Sequence, residues 1–301
     1  MFKQLQITSR VAFLLAVAQI RRSNRWPTIL AIFVMTLTFL NLVVVSGILV
    51  GLVEGSITAV RTRYTSDLFI SNLKNKPYIS HSADITKLLD TLPAVRAYTA
   101  RYVESGSVEA NYQTPRRTTE IAERAGTLLA GIDPLKEDAV TKLSTAVIEG
   151  NYLTASDYDQ VLIGSSLLRQ YLPIDSPGFV TLEGVEVGSK IRVWLGERYR
   201  EVRIKGITKS KVDEVDRRVF FVDNQLRTLI GRGDYNVDEI AVRVTDPTTI
   251  DALKEKLVRY GANDWARLQT FEEAQPKFIK DIKATFALLG NMISSIGLAV
   301  A

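Results

Sequence analysis

Residues 28–53 read TILAIFVMTLTFLNLVVVSGILVGLV, 26 positions without a formal charge. In a helix rising about 1.5 Å per residue, such a run outreaches the roughly 30 Å hydrocarbon core of a bilayer. A secretory signal would carry a shorter apolar region, about 7 to 15 residues, with a small-residue cleavage site close behind. The run therefore predicts a membrane-spanning helix. Asn41 is its costliest polar side chain and is expected to hydrogen-bond a neighbouring helix or helical backbone. Gly47, Gly51 and Gly55 follow at successive four-residue spacings, which lets a second helix approach the backbone closely.

Charge on either side of this run sets its direction. Residues 1–25 hold Lys3, Arg10, Arg21, Arg22 and Arg25 and no acid, so they carry the whole of the net +5; the remainder has 33 basic and 33 acidic residues. A chain neutral beyond residue 25 lacks the diffuse positive field used to bind nucleic acid. Arg21, Arg22 and Arg25 before the run, with Trp26 at its boundary, are topology anchors that place the N-terminus in the cytoplasm and the following residues outside. Residues 1–25 contain an apolar stretch too short to span and flanked by polar and basic positions, as in an amphipathic elbow helix on the cytoplasmic leaflet. Residues 284–301 (ATFALLGNMISSIGLAVA) are again uncharged and read as the start of a second membrane helix, cut off part way.

Composition removes much enzymology. Without Cys and with His81 as the lone histidine, thiol nucleophiles, Cys-ligated metals and histidine-based centres have no residues to build on. Phosphate-loop, dinucleotide and hydrolase signatures are missing as well. No catalytic, cofactor-binding or metal-binding residue is expected, and any ATP would be bound by a partner subunit.

Residues 54–283 form the extracytoplasmic part. Two strand–helix–strand units bracket it. The first runs through residues 67–71, 83–92 and 95–110, and the second through 238–244, 248–260 and 267–271. Alternation marks the strands and helical spacing of apolar residues marks the helices. Assembled in one sheet with helices on one face, the units give a ferredoxin-like arrangement, so the fold class is α+β. Residues 115–235 are an inserted β-rich subdomain, with strands at 127–132, 160–163 and 218–222, a hairpin over 190–207, and helices after Pro134 and at 165–171. Residues 54–64 and 271–283 continue the membrane helices outward as a stalk, which requires the two ends of the domain to lie side by side.

This order of elbow, membrane helix, large outer domain and second membrane helix resembles the MacB/FtsX/LolC-type permeases of ATP-binding-cassette systems. Local strings agree: RRSNR at 21–25, GIDP at 131–134, EGNYL at 149–153, VLIG at 161–164, EVGSKI at 186–191 and GI at 206–207. The resemblance implies a MacB-like periplasmic core domain made of a membrane-proximal subdomain and a β-rich insert. It implies a permease subunit in the bacterial inner membrane that works as a dimer with a second copy or paralogue. A separate cytoplasmic ATPase would drive it, with a periplasmic adaptor as a further partner. Its function would be export, or extrusion of a lipid or lipoprotein. Family members continue through further membrane helices, so no residue here is assigned to ATPase coupling. Two alternatives belong to other classes: a transducer that regulates a cell-wall hydrolase, as FtsX-like members do, and a membrane-anchored binding module that needs no ATP.

Other features have plainer readings. Asp213, Glu214 and Asp216 do not follow calcium-loop spacing, and Arg217 and Arg218 compete for their carboxylates, so they read as a solvated loop. Arg232-Gly233-Asp234 is taken as a turn, His81 as a surface residue, and Trp194 and Trp265 as packing residues.

Overall fold

The computed structural model describes residues 25–112, 124–172, 180–275, 281–282, 284–285 and 288, with some side chains between 25 and 50 outside the description. The expected elbow with Arg21 and Arg22, and almost all of the second apolar run, fall outside the described residues. The chain divides into two compact units, Met1–Val53 with Asp281–Ala301, and Glu54–Lys280.

In the first unit, helix α1 (Arg25–Val60, 36 residues) takes in the whole uncharged run and extends into the second unit. Ile29, Phe33, Leu37, Leu40, Val44 and Ile48 lie exposed along it. Counted over the described residues alone, no helix is long and apolar enough to cross a membrane. The run includes positions outside that count, and that it spans a membrane is an expectation from the sequence.

The second unit is built on one sheet. Strand β1 (Leu68–Asn72), helix α2 (Ser82–Thr91) and strand β2 (Val95–Glu109) form the first strand–helix–strand unit. Strand β9 (Glu239–Val244), helix α6 (Ile250–Arg259) and strand β10 (Ala266–Thr270) form the second. In space the strands interleave as β10–β1–β9–β2, every pair antiparallel. Leu68 faces Thr270 on one side and Val242 on the other. The first and last strands are thus neighbours, and the Phe271 amide donates to the Asp67 carbonyl at 3.0 Å.

Strand alternation sorts side chains to two faces. Leu68, Ile70, Ile240 and Val242 join Ile85 and Leu89 of α2 and Leu253 and Leu257 of α6 in the main core. Phe69 and Ala241 point the other way, against Val140. The expectation of helices on one face holds for α2 and α6, but the opposite face is covered too.

The cover comes from the insert: β3 (Arg124–Ile132), α3 (Pro134–Thr141), β4 (Val147–Gly150), β5 (Gln160–Gly164), β6 (Lys190–Leu195), β7 (Arg198–Thr208), α4 (Asp213–Asp216), β8 (Arg218–Val222) and α5 (Asp223–Ile230). Long β2 serves both parts. Its first half pairs with β9, and its second half pairs with β3 and β6. The pairings β2–β3–β8–β5–β7–β6–β2 close a six-stranded ring, and closure removes the open edges that invite aggregation. Val108, Leu129, Ile163, Val193, Val202 and Phe221 are buried in the same core.

Residues 165–171, expected as helix, are two 3-10 turns instead, Ser165–Leu167 and Arg169–Tyr171. Leu168 between them is extended because the Leu182 amide donates to Leu167 O and the Arg169 amide to Leu182 O, a tertiary pairing that breaks the helix. Close backbone approach explains the glycines of two strings noted above, EGNYL and GI. A Cβ on Gly150 (φ 75°) would stand 2.2 Å from the Lys205 carbonyl, and one on Gly206 would stand 2.6 Å from Asn151 O.

Candidate functional site

α1 ends at Val60, and the chain continues as a π-helical turn, Arg61–Thr65, before entering β1. Ala59, Val60 and Tyr64 pack on a small apolar cluster that includes Ile132, Leu143 and Val215. Tyr64 also reaches Phe69, ring centroids 5.2 Å apart. The turn therefore lies on the second face of the sheet, the one covered by α3.

Buried charge meets the turn there. Thr99 and Arg101 are two residues apart on β2 and share this face, and Glu239 opens β9 directly opposite Arg101. Glu137 comes from the first turn of α3, which starts where it does because the Asp133 side chain accepts from the amides of Leu135 and Lys136 and Pro134 supplies a preset φ. Arg218 opens β8. Arg101 donates Nε and Nη2 to the two oxygens of Glu137 at 2.9 and 2.8 Å and Nη1 to Glu239 at 3.2 Å. Arg218 donates both terminal nitrogens to Glu239 at 3.0 and 2.8 Å. Thr99 and Thr141 hydroxyls complete Glu137 at 2.9 and 2.8 Å.

Tyr64 joins this network without adding charge. Its hydroxyl donates to Glu239 Oε1 at 2.9 Å and accepts from Arg218 Nη2 at 3.1 Å, and its carbonyl accepts from Arg101 Nη2 at 3.0 Å. The Arg218 guanidinium lies 4.9 Å from the ring centroid. Two arginines and two glutamates balance, which is what allows full burial.

The electrostatics follow from the geometry. Burial opposes ionisation of Glu239, but Arg218 and then Arg101 outweigh it and draw the carboxyl down to about 2. Burial likewise opposes the charge on Arg101 and Arg218, yet Glu137 for the first and Glu239 for the second hold both guanidiniums above their ordinary value. Burial, then the Glu239 charge, push the Tyr64 phenol well up.

Flanking contacts pin the turn further. Arg61 forks onto Asp67 Oδ1 at 2.9 and 2.6 Å while Asp67 Oδ2 accepts from the Val244 amide at 3.0 Å. Arg63 donates to Lys142 O and Thr145 Oγ1 at the end of α3. These contacts tie the turn to the start of β1, to β9 and to the end of α3.

The sequence-expected positions lie elsewhere. Gly47, Gly51 and Gly55 are exposed on α1 with nothing within 4 Å of where a Cβ would sit. Trp26 is exposed near the start of α1, while the side chains of Arg25 and Asn41 lie outside the described set. Of the acidic cluster, Asp216 is buried and accepts from the Ser210 amide and hydroxyl and the Lys211 amide, whereas Arg218 turns into the buried network. Among the described residues no cluster could hold a metal ion. Arg232 is tied to Asp238 at 2.8 and 3.0 Å, so the Arg-Gly-Asp string is part of a turn. His81 stacks on Trp265 at 4.7 Å, and Trp194 donates to Glu109 at 2.7 Å.

Sequence reasoning did not find Tyr64, Arg101, Glu137, Arg218 or Glu239. One signal was present: Arg and Thr at alternate positions of a strand whose other positions are apolar reads as a solvent face, and only the cover over that face makes it a buried site.

Three solved structures to which the chain is similar are each remote in sequence. The extracellular domain of the noncanonic ABC-type transporter YknZ from Gram-positive bacteria is 17% identical over 68% of this chain and 98% of that one, with a TM-score of 0.43. The periplasmic region of MacB from Actinobacillus actinomycetemcomitans is 14% identical over 74% and 95%, with a TM-score of 0.47. A domain of a putative permease protein from Porphyromonas gingivalis is 15% identical over 70% and 92%, with a TM-score of 0.38. No curated protein matches the chain in sequence. The family model described as the MacB-like periplasmic core domain matches residues 28–260, most of the chain, which therefore belongs to the MacB-like family of ABC transporter permeases.

Proposed function

We propose that this chain is the membrane-embedded permease subunit of an ABC-type system that exports its substrate or extrudes a lipid or lipoprotein. Residues 28–53 of α1 cross the bacterial inner membrane with the N-terminus in the cytoplasm, and residues 54–283 work outside. A separate ATPase hydrolyses ATP in the cytoplasm, and two permease copies, or this chain and a paralogue, form the pair it drives. A periplasmic adaptor is a further partner. The Glu54–Lys280 unit is non-catalytic and receives motion along the helix that enters it.

One observation carries this reading. The helix that holds the apolar run continues without a break to Val60, and the turn that follows is bonded to β2, β8 and β9 and to the residues that flank β1 and α3. A flexible tether would serve a simple anchored module equally well, whereas a helix locked into a buried network suits transmission of force.

The test is purification of the chain from its native membranes in a mild detergent, followed by ATP hydrolysis and identification of the associated subunits. Co-purification of a stoichiometric ATPase, whose turnover changes when the chain carries Tyr64→Ala, is the expected outcome. A chain that purifies without ATPase in every detergent tried, yet retains its native-membrane abundance, would overturn the proposal.

A further inference from the structure

The segment between Val60 and Leu68 departs from regular geometry twice within six residues. Arg61–Thr65 is a π-helical turn, a winding that occurs mostly as single turns and often at functional sites. Ser66, which follows, has φ 56° and ψ −147°, close to a region essentially reserved for glycine because a Cβ there crowds the backbone. Its hydroxyl is buried and has no hydrogen-bond partner among the described residues. A backbone held in such a state persists only where its surroundings over-determine it.

The surroundings are the bonds already described. Tyr64 is held by Glu239, Arg218 and Arg101, Arg61 by Asp67, and Arg63 by Lys142 and Thr145. Removing Tyr64 from this set would leave Arg101, Arg218, Glu137 and Glu239 paired among themselves, with charges balanced. The latch is therefore neutral, and opening it strands no buried ion. An unlatched π-turn has a simple place to go: rewinding as α-helix displaces one residue, which turns the preceding helix by about 100° and moves it by about 1.5 Å.

From this we infer that residues 61–66 are a two-state joint. In the latched state seen here Tyr64 is bonded between Glu239 and Arg218 and Ser66 is strained. In the unlatched state the turn rewinds as α-helix, Ser66 relaxes, and residues 54–60 rotate against the sheet. The inference deepens the transmission role proposed above and rests on it for its purpose, but the equilibrium itself belongs to the chain alone.

The experiment uses the full chain in lipid nanodiscs without any ATPase. Because the protein has no cysteine, Thr58→Cys and Asp251→Cys accept a pair of spin labels whose separation is read by pulsed electron resonance. Tyr64→Phe, which deletes the bonds to Glu239 and Arg218, should enrich a second distance by roughly tenfold. Ser66→Gly, which makes the strained geometry free of cost, should deplete it. One distance distribution, identical in the parent and both variants, would overturn the joint. Should Tyr64→Phe not fold, hydrogen exchange decides: amides of residues 61–66 should open faster than those of β1 in the parent and slow several-fold in Ser66→Gly, and equal rates in the two proteins would overturn it. Since no ATPase is present, a chain that never meets one can still show both states, while a rigid turn in an ATPase-coupled chain would remove the joint and leave the function standing.

Discussion

Arg101 and Glu239 stand directly opposite one another on β2 and β9, and the guanidinium of the first reaches the carboxylate of the second at 3.2 Å in the domain interior. The ions form a chain, Glu137–Arg101–Glu239–Arg218, in which the two central members each bridge two partners. Interdependence of this kind makes single substitutions costly and paired ones cheaper.

Glu137→Ala should lower the stability of the outer domain by about 3–5 kcal/mol, because it leaves Arg101 as a buried charge in excess. Arg101→Met combined with Glu137→Leu should cost clearly less than the sum of the two single changes. Thermal unfolding of the full chain in detergent measures all four variants. Additive losses would mean that the pair is not coupled as drawn.

The depressed Glu239 carboxyl makes a specific pH signature. A group whose folded value lies near 2 against an ordinary 4.5 contributes stability that is complete above about pH 5 and is lost as the pH falls toward 2. Its size is on the order of 3 kcal/mol. Burial pushes Asp216 and Asp238 upward, so those two gain stability over the same interval and mask part of the loss. The clean readout is a difference: the deficit of Glu239→Gln relative to the parent should shrink steadily between pH 5 and pH 2. A deficit constant with pH would show that the ionised carboxylate is not the source.

Ser66→Gly should raise stability by about 1 kcal/mol by removing backbone strain, and the midpoint of thermal unfolding by about 2–4 °C for a domain of this size. Ser66→Ala keeps the strained Cβ but removes the buried hydroxyl, unpaired among the described residues, so the gain of Ser66→Gly over Ser66→Ala isolates the backbone strain. Equal midpoints for Ser66→Gly and Ser66→Ala would show that residue 66 is not strained.

Gly206→Ala should destabilise the ring of strands by more than about 1 kcal/mol, since the new methyl would sit 2.6 Å from Asn151 O and 3.0 Å from Glu149 O, both backbone atoms that cannot step aside cheaply. Gly51→Ala, on the exposed face of α1, should leave the outer domain's unfolding unchanged. Chemical denaturation monitored by tryptophan fluorescence compares the two.

The outer units were legible because their signals are local. Alternation in residues 238–244 and helical spacing in residues 248–260 each lie within about a dozen residues, and a strand at Glu239–Val244 and a helix at Ile250–Arg259 formed there, as did α3 of the insert after Asp133–Pro134. The 3-10 turns near Leu168 were not legible, since a pairing with Leu182 overrides the local preference. The glycines of the family strings could be seen, but their reason, a backbone within van der Waals reach from a distant strand, could not.

Sequence alone determined the apolar run of α1, the two strand–helix–strand units and the lack of Cys and His chemistry, because apolar length, periodicity and residue type are properties of neighbours in the chain. Tertiary structure alone decided that β2 is shared between the units and the ring, that Arg101 and Glu239 are buried, and that Tyr64 joins them. Those facts depend on which face of a strand is covered by α3, an element 25 residues or more away along the chain, and burial by a distant segment leaves no periodic trace in the strand that it covers.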